Sequence, residues 1–163
     1  MKIGIVSDTH DNVELAEKAV MFFEDQDIDK VVHCGDMIAP FTAEIFNGDF
    51  DFYAVRGNND GEWDLKGAVE EFGSFYNNIA GLEFDGKRIA VYHGTEEEIV
   101  EGLVSKDYDY VFRGHTHQRK TEKHDDAVEI NPGGIKLPGQ EEEFSVAVLD
   151  TRTGDIDFRE LGP

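Results

Sequence analysis

Short apolar runs and stretches of helical period alternate over the first half of the chain. Lys2 to Val6 is an apolar run that predicts a strand, closed by a polar loop from Ser7 to Asn12. Val13, Ala16, Val20 and Phe23 then recur at helical spacing and predict a helix to about Glu24, with Asp11 or Asn12 as its N-cap. Residues 31–34 predict a second strand, ending at Gly35-Asp36. Pro40 suits the first turn of a helix running through Phe46. Residues 52–55 predict a third strand. Leu65, Ala68, Val69 and Phe72 then mark one face of a helix from about Glu62 to Phe72.

The second half changes character. Ile79 to Phe84 and Arg88 to Tyr92 flank Asp85-Gly86, the pattern of a hairpin. Thr95 and Glu98 have capping-box spacing ahead of Ile99, Val100 and Leu103. Tyr108 to Phe112 predicts a strand, and residues 119–123, 127–131, 143–150 and 155–161 predict strands only. Alternation followed by consecutive strands predicts an α/β chain. The expected architecture is a four-layer αββα sandwich, two mixed β-sheets flanked by helices. No linker, repeat or low-complexity tract interrupts residues 1–163, so a single domain is expected.

Composition narrows the function classes. A chain of 163 residues can bury a core without disulfide or metal staples. Its 36 acidic residues against 15 Lys and Arg leave a formal charge of −21. An apolar fraction of 39% with 12 Phe excludes a disordered acidic segment, so the charge belongs on the surface. It repels polyanions, which makes nucleic acid an unexpected partner. Such a charge is useful in a saline cytoplasm, where the screening length falls to about 3 Å at 1 M salt. A halophilic source is therefore expected. Cys34 is the sole cysteine, which excludes an intramolecular disulfide. The longest uncharged run, Gly73 to Leu82, is far short of the ~20 residues that span a bilayer. Asp8 interrupts the N-terminal apolar run too early for a signal peptide. No membrane contact is expected, and the expected location is the cytoplasm.

The candidate chemistry lies just after the strands, where α/β sheets bind ligands. Five clusters stand out: Asp8-x-His10, Gly35-Asp36, Gly57-Asn58-Asn59-Asp60, His93-Gly94 and Gly114-His115-Thr116-His117. Imidazole and carboxylate together suit Mn, Fe, Co, Ni or Zn. Residues two apart in extended chain face the same way, which suits His10 to Asp8 and His117 to His115. Each cluster alone is commonplace; all five, each at a strand end, argue for a metal site.

With Asn131-Pro132-Gly133-Gly134, these clusters resemble the motifs of the calcineurin-like metallophosphoesterases, in the small YfcE-like branch, over nearly the whole chain. The resemblance implies a two-metal site. One ion would be held by Asp8, His10, Asp36 and His117. The other would be held by Asp36, Asn58, His93 and His115, with Asp36 bridging. It implies hydrolysis of a small phosphodiester or phosphomonoester by a hydroxide shared between two divalent ions, with Mn²⁺ first among the candidates. The site would then be locally positive inside an acidic protein and suited to a phosphate anion. Asp36, Asn58 and Asn59 are the residues expected to act directly in catalysis. A homo-oligomer is compatible with the resemblance.

Two departures bear on catalysis. Family members commonly read Gly-Asn-His-Asp, and Asn59 stands where that His would be. An amide donates a hydrogen bond but is no proton donor at neutral pH, so diesters are preferred. Thr95 follows His93-Gly94, where the family often has another His. An alternative function is a protein-interaction scaffold, the role of a retromer subunit of the same fold whose metal site is degraded. All seven ligands are present here, which favours the enzyme. Among other residues, His33 reads as core or as a support behind the site, His124 as solvated and Cys34 as a small buried apolar residue. Trp63 and Phe72 read as core or interface, Glu141 to Glu143 as a solvated loop, and Arg56 as either a phosphate contact or a structural pair. No G-x-G-x-x-G or Walker A pattern offers a dinucleotide or NTP cradle.

Overall fold

The computed structural model describes residues 1–162. The elements run β1 (Lys2–Val6), α1 (Val13–Asp25), β2 (Lys30–His33), α2 (Pro40–Ile45), β3 (Asp51–Val55), α3 (Leu65–Glu70) and β4 (Gly73–Tyr76). They continue β5 (Ile79–Phe84), β6 (Lys87–Tyr92), α4 (Glu97–Val104), β7 (Tyr110–Phe112), β8 (Arg119–Lys123), β9 (Val128–Pro132), β10 (Ser145–Asp150) and β11 (Ile156–Glu160).

Two mixed sheets result. The first has the order β11-β10-β1-β2-β3-β4, with β1 to β4 parallel; the second is β5-β6-β7-β9-β8, with β6, β7 and β9 parallel. Parallel neighbours need crossovers, and α1, α2 and α3 supply them in the first sheet. The apolar faces form three layers. Ala16, Ala19, Val20 and Phe23 of α1 pack with Phe46, Phe52 and Val69 on the outside of the first sheet. Ile3, Ile5, Val32, Val91, Phe112 and Ile130 fill the space between the sheets. Val100, Leu103 and Val104 of α4 cover Ala90 and Val111 on the far side. Sandwiching both sheets between helices is the expected αββα order, with a single helix in the fourth layer.

Local signals account for several boundaries. The Asn12 side chain accepts from the Leu15 N–H at 3.1 Å and caps α1. Pro40 stands in the first turn of α2. Asp85 and Gly86 both have positive φ, 53° and 73°, as the tight turn of a hairpin requires.

Beyond shifts of one or two residues at element ends, four features differ from the sequence reading. Residues 73–76 form an edge strand, β4, inside the uncharged run; Phe75 is buried while its neighbours are half-buried, too short a signal for periodicity. Helix α3 starts only at Leu65, after a turn over residues 62–65 in which the Leu65 N–H donates to Glu62 O at 3.4 Å. The Thr95–Glu98 capping box does not form: Glu96 is the N-cap residue, makes no side-chain cap bond, and receives the Tyr92 hydroxyl instead. Strand β10 starts at Ser145, since Glu142 and Glu143 turn to Arg119 and Lys136. They are paired rather than merely solvated.

Candidate metal centre

All five clusters lie at the carboxyl ends of adjacent parallel strands: β1, β2 and β3 in one sheet, β6 and β7 in the other. Backbone bonds tie the loops together. Asp8 N–H donates to Gly35 O at 3.0 Å, His10 N–H to Asp36 O at 3.0 Å and Gly114 N–H to His93 O at 2.9 Å. The His115 N–H donates to Asp8 Oδ2 at 3.0 Å and so links the sheets.

The seven expected ligands converge. Asp8 Oδ1 lies 3.2 Å from His117 Nε2, 3.7 Å from His10 Nε2 and 3.9 Å from His93 Nε2. Asp36 Oδ2 lies 3.4 Å from His10 Nε2 and 3.3 Å from His93 Nε2, between the two groups. Asn58 Oδ1 is 2.9 Å from His93 Nε2 and 3.1 Å from His115 Nδ1. Asp8, His10 and His117 lie close enough to share one ion, and so do Asp8, Asp36 and His93.

Three observations fit this donor set to divalent ions. Asp8 Oδ1 and His10 Nε2 are buried without a hydrogen-bond partner, two of three such side-chain atoms among the described residues. Orphaned buried polar atoms are costly and call for an explanation. His93 Nδ1 meets Cys34 O at 2.8 Å and His117 Nδ1 meets Ile135 O at 2.7 Å. Each carbonyl holds the proton on Nδ1, leaving the Nε2 lone pair directed inward. Asp8, His10, Asp36, His115 and His117 all have φ between 43° and 71°. Left-handed backbone in non-glycine residues gathers where surrounding structure holds a functional geometry.

Electrostatics follow the same arrangement. Burial alone would raise the Asp8 carboxyl, but His10, His117 and His93 hold it well below the usual carboxylate range. Asp36 is likewise lowered against its burial by His93 and Asn59. Burial works to lower His93 and His117, and the carboxylates outweigh it and raise both. Burial and neighbouring His93 lower His115. Binding a metal here must displace protons.

The remaining candidates separate clearly. His33 is fully buried, and desolvation pushes its pKa down to about 3. It receives the Gly35 N–H on Nδ1 and faces Thr9 Oγ1 at 3.2 Å, behind the site. Cys34 is buried and its thiol is pushed up by burial. Arg56 donates to Asp60 O and stacks over Phe75, so it is structurally paired. Trp63 is 89% exposed, not core, whereas Phe72 packs on the α1–α2 layer. His124 bonds Glu129 at 3.0 Å rather than standing free in solvent.

Three residues that the sequence reading named without a role support the site. Asp60, buried, accepts from the backbone N–H groups of Asp36 (2.8 Å), Gly57 (2.7 Å) and Ile38 (2.7 Å). The Ser7 hydroxyl donates to Asp8 Oδ2. Asn131, noted only for its motif, donates to Gly114 O and Thr116 Oγ1, both at 3.0 Å, and steadies the His115–His117 loop. The available signal for Asp60 was a carboxylate two residues after Asn58 in a strand-end turn.

Comparison with known proteins bears on the family and the fold. A phosphodiesterase of Methanocaldococcus jannaschii, MJ0936, is 38% identical over 141 residues, covering 82% of this chain and 83% of its own. The probable metallophosphoesterase YsnB of Bacillus subtilis is 27% identical over 97% of this chain and 90% of its own. A solved archaeal phosphodiesterase superposes with TM-score 0.91 at 34% identity, covering 99% of this chain and all of that one. YfcE of E. coli, at 19% identity and TM-score 0.69 over 99% of this chain and all of its own, shares the fold. Residues 1–154 match the calcineurin-like phosphoesterase superfamily domain, and the chain belongs to that superfamily.

Proposed function

We propose that this protein hydrolyses small phosphodiesters with two divalent metal ions, and that residues 1–163 act as one domain. The observation that carries the reading is the pair of buried, unpartnered atoms Asp8 Oδ1 and His10 Nε2 beside the inward-facing Nε2 atoms of His117 and His93. Asp8, His10, Asp36 and His117 would hold one ion; Asp36, Asn58, His93 and His115 the other. When bound, such ions lower the pKa of a water and neutralise phosphoryl charge. Mn²⁺ is our choice, since imidazole and carboxylate oxygen without thiolate suit it.

The chain's own residues hold and orient. Cys34 O and Ile135 O keep His93 and His117 in one tautomer. Asn59 donates to both oxygens of Asp36 and keeps that carboxylate between the two groups. No side chain here acts as nucleophile: Ser7 is committed to Asp8, and Cys34 is buried with a raised pKa. Asn59 is neutral, so a poor leaving group receives no proton from it. Diesters with acidic leaving groups are the expected substrates, and the M. jannaschii phosphodiesterase supports the diester preference. We place the protein in a saline cytoplasm on account of its charge of −21; no described helix is long and apolar enough to cross a membrane.

The test is hydrolysis of bis-p-nitrophenyl phosphate by metal-stripped protein, with and without added Mn²⁺. Turnover that appears with Mn²⁺ and vanishes with chelator is expected. Mn²⁺ binding without turnover would instead indicate a scaffold that keeps its metals.

A further inference from the structure

Arg113 precedes Gly114 and His115, and its side chain points away from the metal centre into the α4 side of the second sheet. It is 3% exposed. Nη1 donates to both carboxylate oxygens of Glu97 at 2.9 and 2.8 Å and lies 3.3 Å from Glu129 Oε1. Nη2 donates to Gly94 O at 3.2 Å. Gly94 follows His93, so one guanidinium touches the loop carrying His93 and, through its own backbone, carries His115. Gly94 has φ of 99°, and a Cβ there would meet Arg113 Nε at 2.8 Å. The loop is shaped around the guanidinium.

A buried ion pair is a poor source of stability, because desolvation offsets the attraction. Glu129 is 2% exposed beside Ala90, Val100 and Val111, and it also takes Lys120 Nζ at 3.2 Å and His124 Nε2 at 3.0 Å, so it is anchored from the opposite side. What the guanidinium adds at this place is its grip on the carbonyl of Gly94. We infer that Arg113 is a positioning residue: clamped by Glu97 and Glu129, it sets the spacing of His93 and His115 and so the affinity of the ion those two would share. The inference rests on the two-metal reading above. The ion that Asp8, His10, Asp36 and His117 would hold has no ligand on the Gly94 loop, and His117, although on Arg113's own loop, is anchored separately through Nδ1 to Ile135 O at 2.7 Å, so that site is left alone.

The experiment titrates metal-free protein with Mn²⁺ by calorimetry, and records EPR spectra of the loaded protein. Arg113→Lys keeps the buried positive charge but has no fork to span Gly94 and both glutamates. Loss of a supporting partner of this kind typically weakens metal affinity about 10–100-fold. The expected result is that loss at one site only, with the other unchanged and the spectrum of a coupled Mn²⁺ pair giving way to that of isolated Mn²⁺. A merely structural role would weaken both sites together. Should Arg113→Lys fail to fold, Glu97→Gln, at the exposed end of the clamp, is expected to weaken the same site to a lesser degree. A wild type that takes two ions, with folded variants that match it, overturns the inference alone. A wild type that takes a single ion overturns the two-metal reading and the inference with it.

Discussion

Asn59 grips both oxygens of Asp36: its backbone N–H donates to Oδ1 and its side-chain amide to Oδ2, each at 2.8 Å. The residue where the family commonly has a His therefore also orients the carboxylate at the centre of the site. Asp36 Oδ2 is the oxygen nearest His10 and His93, so the grip fixes the atom expected to face both ions.

Asp36→Asn should accordingly do more damage than loss of a terminal ligand such as His10. The amide carries no charge and turns an NH₂ group toward either Asn59 or the imidazoles. Hydrolysis near background and reduced metal content are expected, measured by steady-state kinetics and elemental analysis. Near-normal activity would sink the two-metal assignment.

Asn59→His separates the two roles of that position. It keeps the backbone bond to Asp36 Oδ1, loses the amide bond to Oδ2, and adds a group able to donate a proton. Absolute rates should fall. General acid catalysis contributes about 10²–10⁴-fold where it operates, so alkyl diesters should recover relative to aryl diesters. The readout is the ratio of kcat/KM for the two classes, and an unchanged ratio would remove Asn59 from the leaving-group position.

Asp60→Asn tests the support beneath Asp36. An amide replaces one carboxylate oxygen with an NH₂ group, facing backbone N–H groups that then lack an acceptor. Each such buried group costs about 1–3 kcal/mol. Urea unfolding should show a loss of that order, and Mn²⁺ affinity should fall with it because Asp36 and Gly57 lose a common anchor. Unaltered stability would show that Asp60 is dispensable to the turn.

Gly4→Ala probes the fold away from the site. A Cβ on Gly4 would lie 2.6 Å from the fully buried ring of Phe23. Overpacking of this kind typically costs about 1–3 kcal/mol. The urea midpoint should drop while kcat and KM stay close to wild type, since β1 carries Asp8 from its other end. A midpoint at the wild-type value would mean that α1 shifts outward freely.

Salt tests the surface. At about 0.01 M the Debye length is near 30 Å and each carboxylate feels many others; at about 1 M it is roughly 3 Å. With Mn²⁺ held saturating, so that metal loss does not intrude, Tm should rise from millimolar to molar KCl, with NaCl as the control for ion identity. A Tm that is flat or falling between about 0.1 and 2 M would detach the charge of −21 from any salt adaptation.

The strands, the helix at Val13 to Asp25 and the five polar clusters were legible because their signals are local: runs, helical spacing, a Pro in a first turn, an Asp-Gly turn. The ligand types were legible too, since Asp-x-His and His-x-His state their chemistry without a partner. Strand β4 was not, because one buried Phe in four residues carries no period. Nor were the roles of Ser7, Asp60 and Arg113, whose meaning lies in what they touch. Asp8 meets the His115 N–H across 107 residues, Asp60 meets Asp36 across 24, and Arg113 meets Gly94 across 19. Those meetings depend on which strands become neighbours. Local patterning therefore carried most of the elements and the donor atoms. That β1, β2 and β3 lie side by side facing β6 and β7 arises only on folding, because strand order is set by the joint burial of both sheets' inner faces, not by any one segment.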